Sequence, residues 1–454
     1  MHFSIPKSSL VLEPGKEGYI SYDLYVNGLY HCSCRYRKLL TLHEKLKQVF
    51  GHGMIAGISF PPKRFLPLSD QQLESRRCQL EKYLQLVSQI QRVRNSEQFC
   101  AFMVETQLET YEKDEENGDD KAPGNAYSLE VETMMNSKTC LTLERKERGL
   151  STKDILHRVC EDLKLPQTLH KFFGLVVLRK YPDIGTFSVV RRLEDYEAPW
   201  ITMQRMDDNL KIILRKRFWD PDLDAELLRD PVGLNLRYCE AVADVEHDWC
   251  PVPPNVLAHL TQMQARGSKR QYLDLVRSQK YFGYWRFSDT PCLSDYPQPN
   301  TRVIVRVGDK ELVTETLDKN STSVFRVTRM RCWRISGKLP MTASNGNNGD
   351  EDESIAADLS FEYLVGKDQM DWVTIKSPQA VLISLCLQSI VDELLGKQLQ
   401  RKGSVEPVLE PESRFSRRWF ENRFSSSRSR DEPVVLRNAF VQNAVFHNIG
   451  DEDL

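Results

Sequence analysis

The apolar and polar positions divide the chain into stretches of different period. Residues 19–34 alternate in period two, broken at Asn27-Gly28, and read as two strands joined by a tight hairpin turn. Over residues 35–46 the period lengthens to that of a helix. Leu39, Leu42 and Leu46, with Leu40 beside them, line one side. Residues 51–68 contain Pro61, Pro62 and Pro67, which forbid a helix and predict an extended loop carrying Phe65, Leu66 and Leu68. Ser69, followed by Gln72, has the form of a capping box. The helix it opens carries Leu73, Leu80, Tyr83, Leu84 and Val87 on one face, with Arg76 inside that stripe. A short helix over 96–108 completes the first unit.

Residues 111–125 are acidic, with glycine and proline, and read as a linker. Strands over 127–131, 139–143, 175–179, 187–190 and 212–214, with a helix capped by Ser151 and ending before Pro166, suggest an α+β module of ubiquitin-like type. Helical stretches at 234–245, 256–264 and 271–276 predict a small bundle. The aromatic run at 281–287 reads as core. Strands over 301–307, 324–335, 359–365 and 372–375 follow, with a hairpin insertion at 345–352. A helix from Ser377-Pro378 closes a module of pleckstrin-homology or phosphotyrosine-binding plan. Residues 406–445 lack a sustained stripe and include a Ser-rich run with Arg414, Arg417, Arg418, Arg423, Arg428 and Arg430, so a mostly disordered tail is expected.

Composition narrows the chemistry. A net charge of −2 provides no bulk positive field, so nucleic acid is not an expected partner and anion binding must be local. No apolar run reaches the length of a bilayer span, and Met1–Pro6 lacks the form of a signal peptide. The 11 cysteines are scattered without C-x-x-C spacing, which predicts reduced packing thiols and no metal site. Phosphate-loop, dinucleotide and zinc-protease motifs are absent, so no enzyme is expected and no cofactor is called for. The local candidate is Arg35 with Tyr36 at a helix start, where backbone N–H groups and a guanidinium favour phosphate.

Three motifs in order, RY-x-x-L-x-x-LH from Arg35, PPK at 61–63 and RR-x-x-LE-x-YL from Arg76, closely resemble the phox-homology (PX) domain of sorting nexins. The rest of the chain resembles the three-lobed FERM-like region carried behind that domain by the PX–FERM sorting nexin family. MHFSIP at the start, FRVTRMRCWR, SPQAVLISLCLQSIVDEL and the final IGDEDL point to the subgroup of sorting nexins seventeen and thirty-one; the shorter tail leans towards the latter. The resemblance implies a multidomain α+β chain. A PX domain with a three-stranded sheet spans 1–110, a linker 111–125, a ubiquitin-like F1 lobe 126–218, a helical F2 lobe 219–288, a PTB-like F3 lobe 289–400 and a disordered tail 401–454.

It also implies roles. Arg35 would hold the 3-phosphate of phosphatidylinositol 3-phosphate, Tyr36 would pack on the inositol ring, Lys63 would take the 1-phosphate and Arg76 the ring hydroxyls. Phe65, Leu66 and Leu68 would insert into the membrane. In F3, Arg331, Trp333, Gln388, Val391 and Leu395 would receive N-P-x-Y or N-x-x-Y tails of integrin- or lipoprotein-receptor-like cargo as an added strand. Asp451, Asp453 and Leu454 would engage a retriever-like retrieval assembly. The expected protein is a monomeric endosomal adaptor, peripheral on the early endosome, that promotes cargo recycling. Ras-like GTPases are a further possible partner of F1 by analogy alone. The alternative is a FERM-type scaffold linking membrane to cytoskeleton or small GTPases.

Overall fold

The computed structural model describes the chain apart from residues 13–14, 16, 56, 65–67, 118–125, 135–137, 182–185, 208, 339–356, 367–368, 403–434, 444 and 447–454. Phe65, Leu66, the insertion at 345–352 and the terminal Asp451, Asp453 and Leu454 therefore lie outside the described residues.

The first sheet is built from β1 (Phe3–Ser4), β2 (Ser8–Val11), β3 (Tyr19–Val26) and β4 (Leu29–Arg35). β4 pairs with one edge of β3, and β1 and β2 share the other. The sheet thus has four strands where three were expected. The hairpin turn has Asn27 at φ 52° and Gly28 at φ 85°, the left-handed pair that this sequence favours. Helix α1 (Tyr36–Ile55) buries Leu39, Leu42 and Leu46 against the sheet. It starts one residue later than the period suggested, so Arg35 is the last strand residue. Helix α2 (Asp70–Gln89) has the expected capping box between Ser69 and Gln72. The buried cation on α2 is Arg77, bonded to Glu74, Glu81 and the Ile5 carbonyl, whereas Arg76 lies at the edge of the stripe.

After the short α3 (Gln91–Arg94), helix α4 runs Glu97–Asn117, well into the stretch read as a linker. Distant partners stabilise this acidic extension. The fully buried Arg148 donates to Glu115 at 2.7 Å and pairs with Glu112 at 3.6 Å, Arg205 donates to Asp114 at 3.0 Å, and Tyr111 packs edge-on against Trp200. α4 therefore joins the first domain to the second.

That second domain contains β5 (Ala126–Glu132), β6 (Lys138–Glu144), α5 (Thr152–Asp162), β7 (Phe173–Tyr181), β8 (Thr186–Arg192), the short α6 (Pro199–Gln204) and β9 (Leu210–Lys216). Its sheet order is β6-β5-β9-β7-β8 with β5 and β9 parallel, as in a ubiquitin-like lobe. The helical lobe follows: α7 (Asp224–Leu227), α8 (Pro231–Glu246), α9 (Pro254–Ala265) and α10 (Lys269–Val276). Arg215 of β9 is bonded to Glu240 and Asp244 of α8, and Arg237 to Asp224, so a buried ionic cluster fastens the two lobes. Burial and the neighbouring Arg237 lower Lys216 to about 8.

The last lobe is an eight-stranded antiparallel arrangement of β10 (Trp285–Ser294), β11 (Thr301–Gly308), β12 (Glu311–Thr316), β13 (Thr322–Arg326), β14 (Met330–Lys338), β15 (Ala357–Leu364) and β16 (Met370–Ser377), with α11 (Ala380–Lys402) across it. The aromatic run before it is core, with Tyr281, Tyr284, Trp285 and Phe287 buried. The single strand expected over 324–335 is two. A turn at Val327–Arg329 separates β13 from β14, and they lie far apart in the sheet. Helix α11 is apolar on more than one side because it is enclosed. Ile383, Leu387 and Val391 enter the sheet core, and Arg192 of β8 reaches Ser389. The eighth strand, β17 (Val435–Gln442), comes from the tail and pairs antiparallel with β14. This part of the tail is ordered, contrary to expectation, because β14 offers an unpaired edge.

Candidate functional sites

The first candidate site forms where β4 meets α1 and the proline loop returns to α2. The Arg35 guanidinium lies over the Tyr19 ring, 3.1 Å from its centroid. Tyr36 donates its hydroxyl to the Pro61 carbonyl at 2.8 Å. Arg76 stacks on the other ring, its Cζ 4.5 Å from the Tyr36 centroid, and donates to the Pro62 carbonyl at 3.3 Å. Lys63 is the next residue in that loop and is exposed. Beneath them, Phe60 stacks on His43 at 4.7 Å and meets Tyr83 edge-on at 4.8 Å, and His43 bonds the Tyr83 hydroxyl.

Of the residues expected to meet a headgroup, Arg76 stacks on Tyr36, next to Arg35, and Lys63 follows in the loop that Tyr36 and Arg76 both bond. Leu68 is half-buried at the end of the same loop. Tyr19, Phe60 and His43 were missed as supports. Only Tyr19 carries a signal in the hairpin: Ser21 pairs with Arg35, and Tyr19, two residues before Ser21 on the same face of β3, is its diagonal neighbour. The result is a set of cations held on aromatic faces, with Tyr36 flanked by arginine. Such a set suits a phosphorylated ring: planar guanidinium forks for phosphate and an aromatic wall for the ring.

The second candidate site is the outer edge of β14. There β17 of the tail lies as an added strand. Trp333 pairs with Val441 and Arg334 with Phe440. At the end of β17, the Asn443 amide N–H donates to the Arg331 carbonyl at 3.1 Å. The Asn443 side chain is fully buried, and its Nδ2 donates to the carbonyls of Val327 (2.8 Å) and Met330 (2.7 Å). Its Oδ1 accepts from the Val445 N–H, and the Phe446 N–H donates back to the Asn443 carbonyl, closing a turn. The turn at Val327–Arg329, which splits the expected strand, supplies one of these acceptors. Asn443 and Phe446 thus have the spacing of an N-x-x-aromatic motif.

The expected groove residues take different places. Arg331 contributes its carbonyl, and its guanidinium binds Glu362. Trp333 contributes its backbone edge. Its ring points inward, wholly buried, and donates from Nε1 to Ser384 Oγ at 2.9 Å. Val391 is buried in the same core as Val441 and Val445, and Leu395 packs against it. Gln388 donates to Asp392, which is paired with Arg94 of the first domain at 2.6 Å.

Family comparison agrees with these folds in chain order. Residues 26–106 match the PX domain model, 127–219 the F1 lobe of sorting nexins 17, 27 and 31, 220–280 the F2 lobe of sorting nexins 17 and 31, and 283–395 the sorting nexin 17 FERM C-terminal domain. Mouse sorting nexin-17 is 35% identical over 490 residues, covering 100% of both chains. The chain belongs to the PX–FERM sorting nexin family. Human sorting nexin-17 is 36% identical, covering 90% of this chain and 84% of the relative. Human sorting nexin-31 is 28% identical with 100% of both covered, so the shorter tail is a poor guide to type. Membership makes the chain an endosomal sorting adaptor built from non-catalytic domains. Among the described residues no helix is long and apolar enough to cross a membrane.

Proposed function

We propose that this sorting nexin reads phosphatidylinositol 3-phosphate with its first domain and N-P-x-Y or N-x-x-Y cargo tails with the outer edge of β14. It would thereby hold receptor cargo at the early endosome for return to the cell surface. The observation that carries the reading is the seating of Asn443 on the carbonyls of Val327, Met330 and Arg331 at the end of an added strand. In this arrangement the tail's own N-x-x-Phe segment stands in for a cargo peptide. Strand addition supplies affinity through the backbone, and the asparagine and the aromatic after it supply selection. Cargo must then compete with β17 for the same edge.

The lipid half of the reading is supported by Arg76 stacked on Tyr36, next to Arg35, with Tyr36 and Arg76 bonded to the Pro61 and Pro62 carbonyls that precede Lys63; Phe65, Leu66 and Leu68 follow Lys63 in the sequence. Headgroup capture plus a greasy loop gives reversible anchoring by two weak signals. At the far end of the chain, Asp451, Asp453 and Leu454 form an acidic end with an apolar anchor for a retriever-like assembly. Flotation with vesicles containing phosphatidylinositol 3-phosphate tests the first half. Calorimetric titration with an Asn-Pro-x-Tyr peptide tests the second. Absence of binding in either experiment refutes that half.

A further inference from the structure

The opening motif MHFSIP has no role in the reading above, yet its second residue touches the cargo-reading lobe. His2 is buried, and its Nε2 lies 3.0 Å from Ser384 Oγ on α11. Ser384 Oγ is the acceptor of the Trp333 indole N–H at 2.9 Å. One hydroxyl therefore joins the first domain to the inward ring of the strand whose backbone forms the peptide edge. Ser384, Gln388 and Asp392 follow one another at four-residue spacing, so they share a face of α11. Asp392 on that face is held by Arg94 of the first domain.

His2 is itself fixed. Its N–H donates to Asn27 Oδ1 at 2.9 Å and its carbonyl accepts from the Asn27 N–H at 2.8 Å. The opposite edge of β1 is fastened by α2, where Glu81 accepts from the Ile5 N–H, Gln85 accepts from the Phe3 N–H and Arg77 donates to the Ile5 carbonyl. The same helix carries Arg76 in the lipid site. We propose that His2 is a positioning residue of the peptide groove, acting through Ser384 to hold Trp333 and with it the β14 edge. The lipid-reading domain thereby helps to shape the cargo-reading edge. This rests on the proposed peptide function of β14.

The test uses the full chain labelled with fluorotryptophan, with Trp333→Phe assigning the resonance. Replacing His2 by Leu removes the bond at similar size, and Ser384→Ala removes it from the other side. His2→Gln places an amide near the position of Nε2. The expected result is a moved Trp333 resonance and about fivefold weaker Asn-Pro-x-Tyr peptide binding in His2→Leu and Ser384→Ala, as for loss of one buried hydrogen bond. His2→Gln should retain the wild-type values, and all three should keep vesicle binding. A Trp333 resonance that stays in place in His2→Leu overturns the proposal, as does His2→Gln behaving like His2→Leu. The resonance is read without peptide. A wild-type chain that binds no peptide would therefore refute the cargo reading, while the resonance still decides the His2 contact.

Discussion

The two candidate sites are built by opposite means. The proposed lipid site consists of side chains: Arg35 on Tyr19 and Arg76 on Tyr36 project charge from aromatic supports. The β14 edge consists of backbone. The carbonyls of Val327, Met330 and Arg331 hold Asn443, and the large side chain of that edge, Trp333, is turned into the core. A site made of side chains can be erased by one substitution that leaves the fold alone. A site made of backbone can be damaged only through what supports the backbone, or probed by changing its occupant.

The largest expected effect follows from this contrast. Trp333→Ala empties a fully buried site, with a loss of about 3–5 kcal/mol. Thermal unfolding should register a large drop in Tm alongside loss of peptide binding. Unchanged Tm with lost binding would make Trp333 a contact residue after all.

Arg35→Ala should behave in the reverse manner. Vesicle binding should fall roughly 10- to 100-fold, the worth of about 1.5–3 kcal/mol for a charged hydrogen bond. Peptide binding and Tm should stay the same. Retained vesicle binding would remove Arg35 from the headgroup site.

A smaller effect concerns pH. His31 of β4 is buried, with its Nε2 beside the Met103 carbonyl. Burial is the main cause of its lowering from 6.5 to about 3; the carbonyl opposes it, and Arg191 and Arg205 add to it. Between those values the unfolded chain binds the proton and the folded chain does not. Stability is therefore full above about pH 6.5 and falls as pH drops, by up to about 1.4 kcal/mol per unit. His31→Gln should flatten the slope of Tm against pH between 7.5 and 5.5, values chosen to span the upper part of that window. An unaltered slope would assign it to other groups.

Signals carried by neighbouring residues were legible in the sequence. The Asn27-Gly28 turn, the Ser69–Gln72 and Ser151–Asp154 capping boxes and the periodic leucines of α1 all appear where local chemistry puts them. Arg35 and Arg76 of the proposed lipid site also stand out in the sequence, and the rings that support them, Tyr19 and Tyr36, lie in the same domain. What stayed hidden depends on distant partners. Residues 111–117 look like a linker until Arg148 and Arg205 pair with their carboxylates. β13 and β14 look like one strand until the turn at Val327–Arg329 sends them to different places in the sheet. β17 has little to distinguish it beside an Arg- and Ser-rich run; its identity comes from an unpaired edge about a hundred residues earlier. For the same reason the inward turn of Trp333 was not visible, since Ser384 holds it from another element.

The central claim, that the β14 edge receives N-x-x-aromatic peptides and is occupied by the tail, has a direct test in Asn443→Ala. This change removes the side chain that holds the tail without touching β14. If β17 competes with cargo, calorimetric titration with an Asn-Pro-x-Tyr peptide should give roughly tenfold tighter binding than the wild-type chain, because the open edge becomes more populated. Equal or weaker affinity in Asn443→Ala would contradict the account.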